Sequence, residues 1–222
     1  MFAKTALSPP EKHLPYFKFI KAVRPGTCPV CDRTTQAMGE WFDNLLDESA
    51  NDRPLRKRLD EDSGLCADHT RRLCAMPDRD GLGAAVLFRR RLELALEALD
   101  RGKAPRLNTG RCAACDEESG AENRNLGLVA DFLDDEGMRA AIVASGGLCL
   151  GHLAALMGRR KFLPAWFLDL HRERSAALHG TLVRYIDSYR LSTEERRAAQ
   201  TEEDEVAWRS FAGHVHGPAR RV

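Results

Sequence analysis

The sequence predicts an all-α protein built as two tandem, pseudo-symmetric helical modules, each stapled by a Cys3His metal site. Three observations predict it. Apolar residues recur at helical spacing along most of the 222 residues, and no stretch alternates with period two. Cys28-Pro29-Val30-Cys31, followed by Gly64-Leu65-Cys66-Ala67-Asp68-His69, returns as Cys112-Ala113-Ala114-Cys115 followed by Gly147-Leu148-Cys149-Leu150-Gly151-His152. The offset between copies is 84 for the Cys-x-x-Cys and 83 for the Cys-x-x-His, too long for a solenoid repeat and indicative of an internal duplication.

The elements follow in order. Residues 1–12 are proline-broken and polar and read as a flexible arm. The first module is expected over 13–102. Tyr16, Phe19, Ile20 and Val23 share one face of a short helix, which Pro25-Gly26 breaks before the first Cys-x-x-Cys. A helix over 35–50 puts Met38, Phe42, Leu45 and Ser49 on one side, with Trp41 beside them. Asp52 is a good N-cap for a short helix with Pro54 in its first turn and Leu55 and Leu59 inward. Ser63-Gly64 ends that helix, and Cys66 opens another, so Cys66 and His69 share a face. Over 81–101 a long helix carries the apolar stripe Ala85, Phe88, Leu92, Leu96 and Leu99.

Residues 103–110, with Pro105 and Gly110, read as a linker, and 111–190 as the second module. A helix is expected over 121–133. Asp135 and Arg139 stand where Asp52 and Arg56 stood, Gly146-Gly147 ends the next helix, and Leu156 matches Leu73. The long helix 164–190 turns Phe167, Leu170, Leu178, Leu182, Tyr185 and Tyr189 inward. Residues 191–222 form a charged C-terminal helix and tail. Ser192 and Glu195 make a capping box, and Trp208 and Phe211 fold back onto the body.

Composition narrows the function classes. With 34 basic and 33 acidic residues the net charge is +1, which gives no bulk attraction to nucleic acid or to an anionic membrane. No apolar run approaches the ~18–20 residues of a membrane span. The N-terminal region lacks a signal-peptide apolar stretch. A cytoplasmic location is therefore expected, where thiols stay reduced and seven cysteines point to metal before disulfides.

Six of those cysteines and two histidines belong to the duplicated motif. Three thiolates and an imidazole suit a tetrahedral zinc ion, and four protein ligands leave no position for water or substrate. The expected sites pair each Cys-x-x-Cys with the Cys-x-x-His that follows it. Cys28, Cys31, Cys66 and His69 would hold one Zn2+, and Cys112, Cys115, Cys149 and His152 the other. An iron–sulfur cluster with one histidine ligand is the alternative cofactor. Cys74 stands outside the pattern and is expected to be a small buried residue.

These motifs resemble a bacterial family known as a domain of unknown function. The resemblance covers nearly the whole length. It rests on the Cys-Pro-Val-Cys after an apolar helix, on Asn51-Asp52-Arg53-Pro54-Leu55-Arg56, and on the Gly-Leu-Cys-x-x-His. Gly81-Leu82-Gly83-Ala84, the second copy of the motif and a late tryptophan, Trp208, extend it. It implies an all-helical protein and brings no established activity. Arg89-Arg90-Arg91 and the acidic run from Glu202 to Glu205 stand outside the family pattern.

The remaining features have ordinary structural readings. Asp52/Arg56 and Asp135/Arg139 read as caps with i, i+4 ion pairs. The three arginines read as a solvated helix face, His171 and His179 as helix-surface histidines, and His214 and His216 as part of a loose tail. No glycine-rich phosphate loop, nucleophile elbow or His-Glu-x-x-His is present. The expected role is thus a zinc-binding adaptor or regulator with a protein partner, and no membrane or nucleic acid. An enzyme with a polar groove between the halves, using Asp52 and Asp135, and a nucleic-acid-associated factor are the alternatives.

Overall fold

A computed structural model describes residues 11–47, 53–76, 81–108, 110–195 and 201–216. Among them there are helices and turns and no strand. The helices are α1 (Leu14–Lys21), α2 (Pro29–Asp47), α3 (Arg53–Glu61), α4 (Ala67–Cys74) and α5 (Leu82–Asp100). They continue with α6 (Ala113–Phe132), α7 (Glu136–Ser145), α8 (Leu150–Arg159), α9 (Ala165–Ser188) and α10 (Glu202–His216).

The chain forms two compact units, and their boundaries fall inside helices. One unit joins residues 1–33 to 124–219; the other is essentially 34–123. Unit boundaries thus lie within α2 and α6, whereas the segment 103–108 packs inside the second unit: Asn108 donates to the Gly64 carbonyl at 2.9 Å.

The helix starts explain this division. α2 begins at Pro29, not near residue 35, because proline is well suited to a first helical turn, where no N–H partner is needed. Cys28 accepts the first helical bond, from the Asp32 N–H at 3.0 Å. α6 likewise begins at Ala113 rather than near residue 121, with Asp116 N–H bonded to Cys112 at 3.2 Å. Each Cys-x-x-Cys is therefore the root of a rigid helix of 19 or 20 residues, not a pliant loop.

Each unit has its own core. In the first, Tyr16, Phe19, Val30, Leu126, Val129, Met138, Ile142, Leu148, Leu156 and Phe167 are buried together. In the second, Met38, Phe42 and Leu45 of α2 pack with Leu59 of α3 and Leu73 of α4. Tyr16, Phe19, Met38, Phe42, Leu45, Leu59 and Phe167 are thus inside as expected, and Ile20, Val23, Leu55 and Leu170 are partly buried, but Tyr189, expected to face inward, is exposed just past the end of α9. The outer half of α5 is not: Leu92, Leu96 and Leu99 are 57–64 % exposed, and no residue of this 19-residue helix is fully buried. Cys74, expected to be buried, is also exposed: it is the last residue of α4, and its neighbour Leu73 takes the core side.

Asp135 caps α7, its carboxylate accepting from the Met138 N–H at 3.1 Å. Its charge is met by Lys12 at 2.7 Å and by the Tyr16 hydroxyl, not by Arg139, whose guanidinium lies 5.2 Å from the Trp166 ring centre. Asp52 and Ser49, the arm through residue 10, and the side chains of Trp208, His216 and Glu202 to Glu205 lie outside what is described. His214 is not in a loose tail: it sits in α10, 4 % exposed, and α10 packs on α9 and α8. Phe211 is half exposed.

Candidate metal centres

All eight expected ligands come together, but in crossed pairs. Cys28, Cys31, Cys149 and His152 form one quartet, and Cys66, His69, Cys112 and Cys115 the other. The sequential pairing is corrected: each Cys-x-x-Cys meets the Cys-x-x-His of the other copy. The reason is the early start of α2 and α6. With Cys31 fixed in the first turn of α2, the chain is carried through a long helix before Cys66 is reached, and Cys66 packs in the core of residues 34–123. Cys28 and Val30 instead pack with Leu148 and Cys149.

Both quartets are built from two helix N-termini. Cys149 is the N-cap of α8 with φ −68° and ψ 159°, and Cys66 the N-cap of α4 with φ −67° and ψ 165°. Cys28 and Cys112 take the corresponding place before α2 and α6. Backbone N–H groups at these helix starts help hold the Cys112 and Cys149 thiols below their usual range, whereas Cys149 and Cys28 push Cys31 up and burial pushes Cys115 up.

The turn that delivers each Cys-x-x-His is the same in both copies. Ser63 and Gly64 have φ of 62° and 92°, and Gly146 and Gly147 φ of 80° and 96°. Two consecutive left-handed residues reverse the chain within one turn. A side chain at 147 is also blocked by neighbours, since a Cβ there would stand 2.9 Å from Nε2 of His171.

The distances fit one ion in each quartet. For a tetrahedral zinc, bond lengths of about 2.3 Å to sulfur and about 2.0 Å to nitrogen place sulfurs about 3.8 Å apart and sulfur about 3.5 Å from nitrogen. In the first quartet Cys31 and Cys149 are 3.9 Å apart, and Nδ1 of His152 lies 3.4, 3.3 and 3.2 Å from Cys28, Cys31 and Cys149. In the second, Cys115 is 3.8 Å from Cys66 and 3.7 Å from Cys112. Nδ1 of His69 lies 3.2, 3.6 and 3.4 Å from Cys66, Cys112 and Cys115. Both quartets can therefore hold a metal ion through three sulfurs and Nδ1.

Their electrostatics favour a cation. The Cys112 sulfur and Glu118 raise the pKa of His69 to about 11. Burial pulls His152 down, but Cys149 and Cys28 outweigh it and bring the pKa to about 10. Surroundings that stabilise an imidazolium this strongly also stabilise a divalent ion.

Around the ligands lies a shell that the motif alone does not disclose. Asp32 is buried beneath Arg24, which donates at 3.1 and 2.6 Å, and beside the Thr27 hydroxyl. Asp116, one repeat on, receives Arg111 at 3.0 and 2.7 Å and Arg58. The repeat offset of 84 is the signal that finds this pair of aspartates. Glu118 and Arg72 are buried beside His69, with Glu118 3.3 Å from Nε2 and 2.8 Å from Arg72. His171 is buried, not on a helix surface. Its Nδ1–H donates to the Phe167 carbonyl at 2.7 Å, and its Nε2 accepts from the Leu148 N–H at 2.8 Å, which fixes the turn before Cys149. His179 is exposed as expected.

No family model matches the chain, and no solved structure matches it. It is similar to the uncharacterized 23.9 kDa protein in xynA 3'region of Caldicellulosiruptor sp. (strain Rt8B.4), with 30% identity over 132 residues. That stretch is 57% of this chain, and the chain spans 63% of the relative's length. Among the described residues no helix is long and apolar enough to cross a membrane.

Proposed function

We propose that each quartet holds one Zn2+ as a closed structural centre, and that the protein is a cytoplasmic adaptor or regulator that engages a protein partner. The observation that carries the zinc reading is the spacing of the ligand atoms, all within 4.8 Å of one another in each quartet. That is the size of one ion's coordination shell. A multi-iron cluster would hold its thiolates farther apart, with several metals between them. Four protein ligands close the shell, so the ion has no open position for a reacting water. Its binding would contribute of order 10 kcal/mol to folding.

The adaptor reading is supported by the balance of charge and by the two metal-clasped helical units, which offer surfaces rather than a reacting centre. Elemental analysis of anaerobically purified protein tests the metal: about two zinc per chain is expected, whereas iron with sulfide, or no metal after dialysis, would overturn it. Crosslinking in the source cells tests the role. A single protein at fixed stoichiometry is expected, and a chain recovered always alone would remove the adaptor reading.

A further inference from the structure

In the unit 34–123 lies a solvent-open cavity of about 550 Å³, walled by α3, the turn before α4, the start of α4, α5 and residues 107–108. A chamber of this size falls in the range of small-ligand sites, roughly 300–1,000 Å³. Leu87 and Phe88 of α5 line it.

The walls are mostly hydrocarbon: Leu59, Leu65, Leu87, Phe88 and Leu107. The charged lining is four arginines against two acids. Arg90 binds Asp60 at 3.2 Å and Glu93 at 3.5 Å, and Arg89 binds Glu93 at 3.3 Å, so both carboxylates are engaged. Arg91 folds its stem over Gly64, where a Cβ would stand 2.9 Å from its Cδ, and donates to the Arg106 carbonyl at 2.5 Å. Among the described residues neither Arg91 nor Arg56 has a carboxylate partner. Among the described residues, this apolar cavity thus carries two guanidiniums that no carboxylate engages.

We propose that this cavity binds an amphipathic anion: a hydrocarbon body with a carboxylate or phosphate head. Arg56 and Arg91 receive the head, which their planar forks can bind through two hydrogen bonds each. Leu59, Leu87 and Phe88 surround the body. This site is separate from the metal quartets and does not depend on the adaptor reading.

The test is calorimetric titration of the full, zinc-loaded chain with decanoate, decyl phosphate, decanol and inorganic phosphate. Binding of decanoate or decyl phosphate at least about tenfold tighter than decanol, with inorganic phosphate weaker still, is expected. The stronger of the two amphiphiles identifies the head group. Arg56→Met and Arg91→Met keep the hydrocarbon stem and should each weaken the anion about tenfold while leaving decanol unchanged. Far-UV circular dichroism checks that both variants fold. Decanol binding as tightly as the anions, anion binding unmoved by both variants, or no binding of any amphiphile at about 1 mM would overturn the proposal.

Discussion

Oε2 of Glu118 lies 3.3 Å from Nε2 of His69, on the side of the ring opposite the three sulfurs that surround Nδ1. The carboxylate is itself anchored by Arg72 at 2.8 Å, and both groups are over nine-tenths buried. A histidine that binds metal through one nitrogen and donates its other N–H to a carboxylate is held in a single tautomer and is more basic as a ligand.

Glu118→Gln should therefore loosen one ion and not the other. The expected loss is about 10–100-fold in affinity at the Cys66, His69, Cys112, Cys115 quartet. Competition with a chromogenic chelator would show one fast-released and one slow-released zinc, where the unaltered protein shows two slow ones. Equal release of both ions would mean that Glu118 contributes only to packing.

Crossed pairing makes a prediction that sequential pairing cannot share. Cys28→Ser with Cys149→Ser removes two ligands from one quartet and should cost about one metal per chain. Cys28→Ser with Cys66→Ser damages both and should lower the content towards zero. Under sequential pairing the two double variants would exchange outcomes. Hydrogen exchange gives the same contrast in space: Cys66→Ser should expose amides within 34–123, and Cys149→Ser those of 1–33 and 124–219.

Asp135 is the cap of α7 and the partner of Lys12 and Tyr16. Lys12 foremost, then Tyr16, holds its pKa down at about 2. Asp135→Ala should destabilise the chain by about 1 kcal/mol through the lost cap. Thermal unfolding at neutral pH reads this, and Asp135→Asn, which retains a capping oxygen, should recover part of it.

His214 gives α10 a pH dependence. Its Nε2 meets the Ser175 hydroxyl at 3.0 Å, its buried Nδ1 has no partner among the described residues, and its pKa is lowered by burial and then by Arg174 and His171. Cys149 opposes these influences. With α10 docked, His214 titrates below its ordinary value of 6.5; released, it regains that value. Docking is therefore intact above about 6.5 and weakens as the pH falls, since only the released helix takes up the proton readily. Amides of 202–216 should lose protection as the pH falls below about 6.5, and His214→Leu should abolish that dependence.

Which eight side chains gather was legible from the duplicated spacing, and the helical class from apolar periodicity. The pairing was not, because it depends on where α2 and α6 begin. Residues 29–34 carry a proline and three polar side chains, Asp32, Arg33 and Thr34, that resemble a turn, yet Asp32 is buried under Arg24 and stabilises a first helical turn there. Glu118 was illegible for another reason. Its counterpart one repeat earlier is Thr34, so the duplication that reveals Asp32 and Asp116 hides it. The stripe Leu92, Leu96, Leu99 had helical spacing but remains exposed, since periodicity identifies an apolar face without identifying what covers it.

The two quartets are nested along the chain: residues 66–115 lie wholly between Cys31 and Cys149. During synthesis the inner clasp has all its ligands once residue 115 has emerged, while the outer one waits for His152. A ribosome-bound intermediate would then hold one finished knot and two idle sulfurs. Cutting the chain between the two motif copies would therefore leave each piece with half of both quartets.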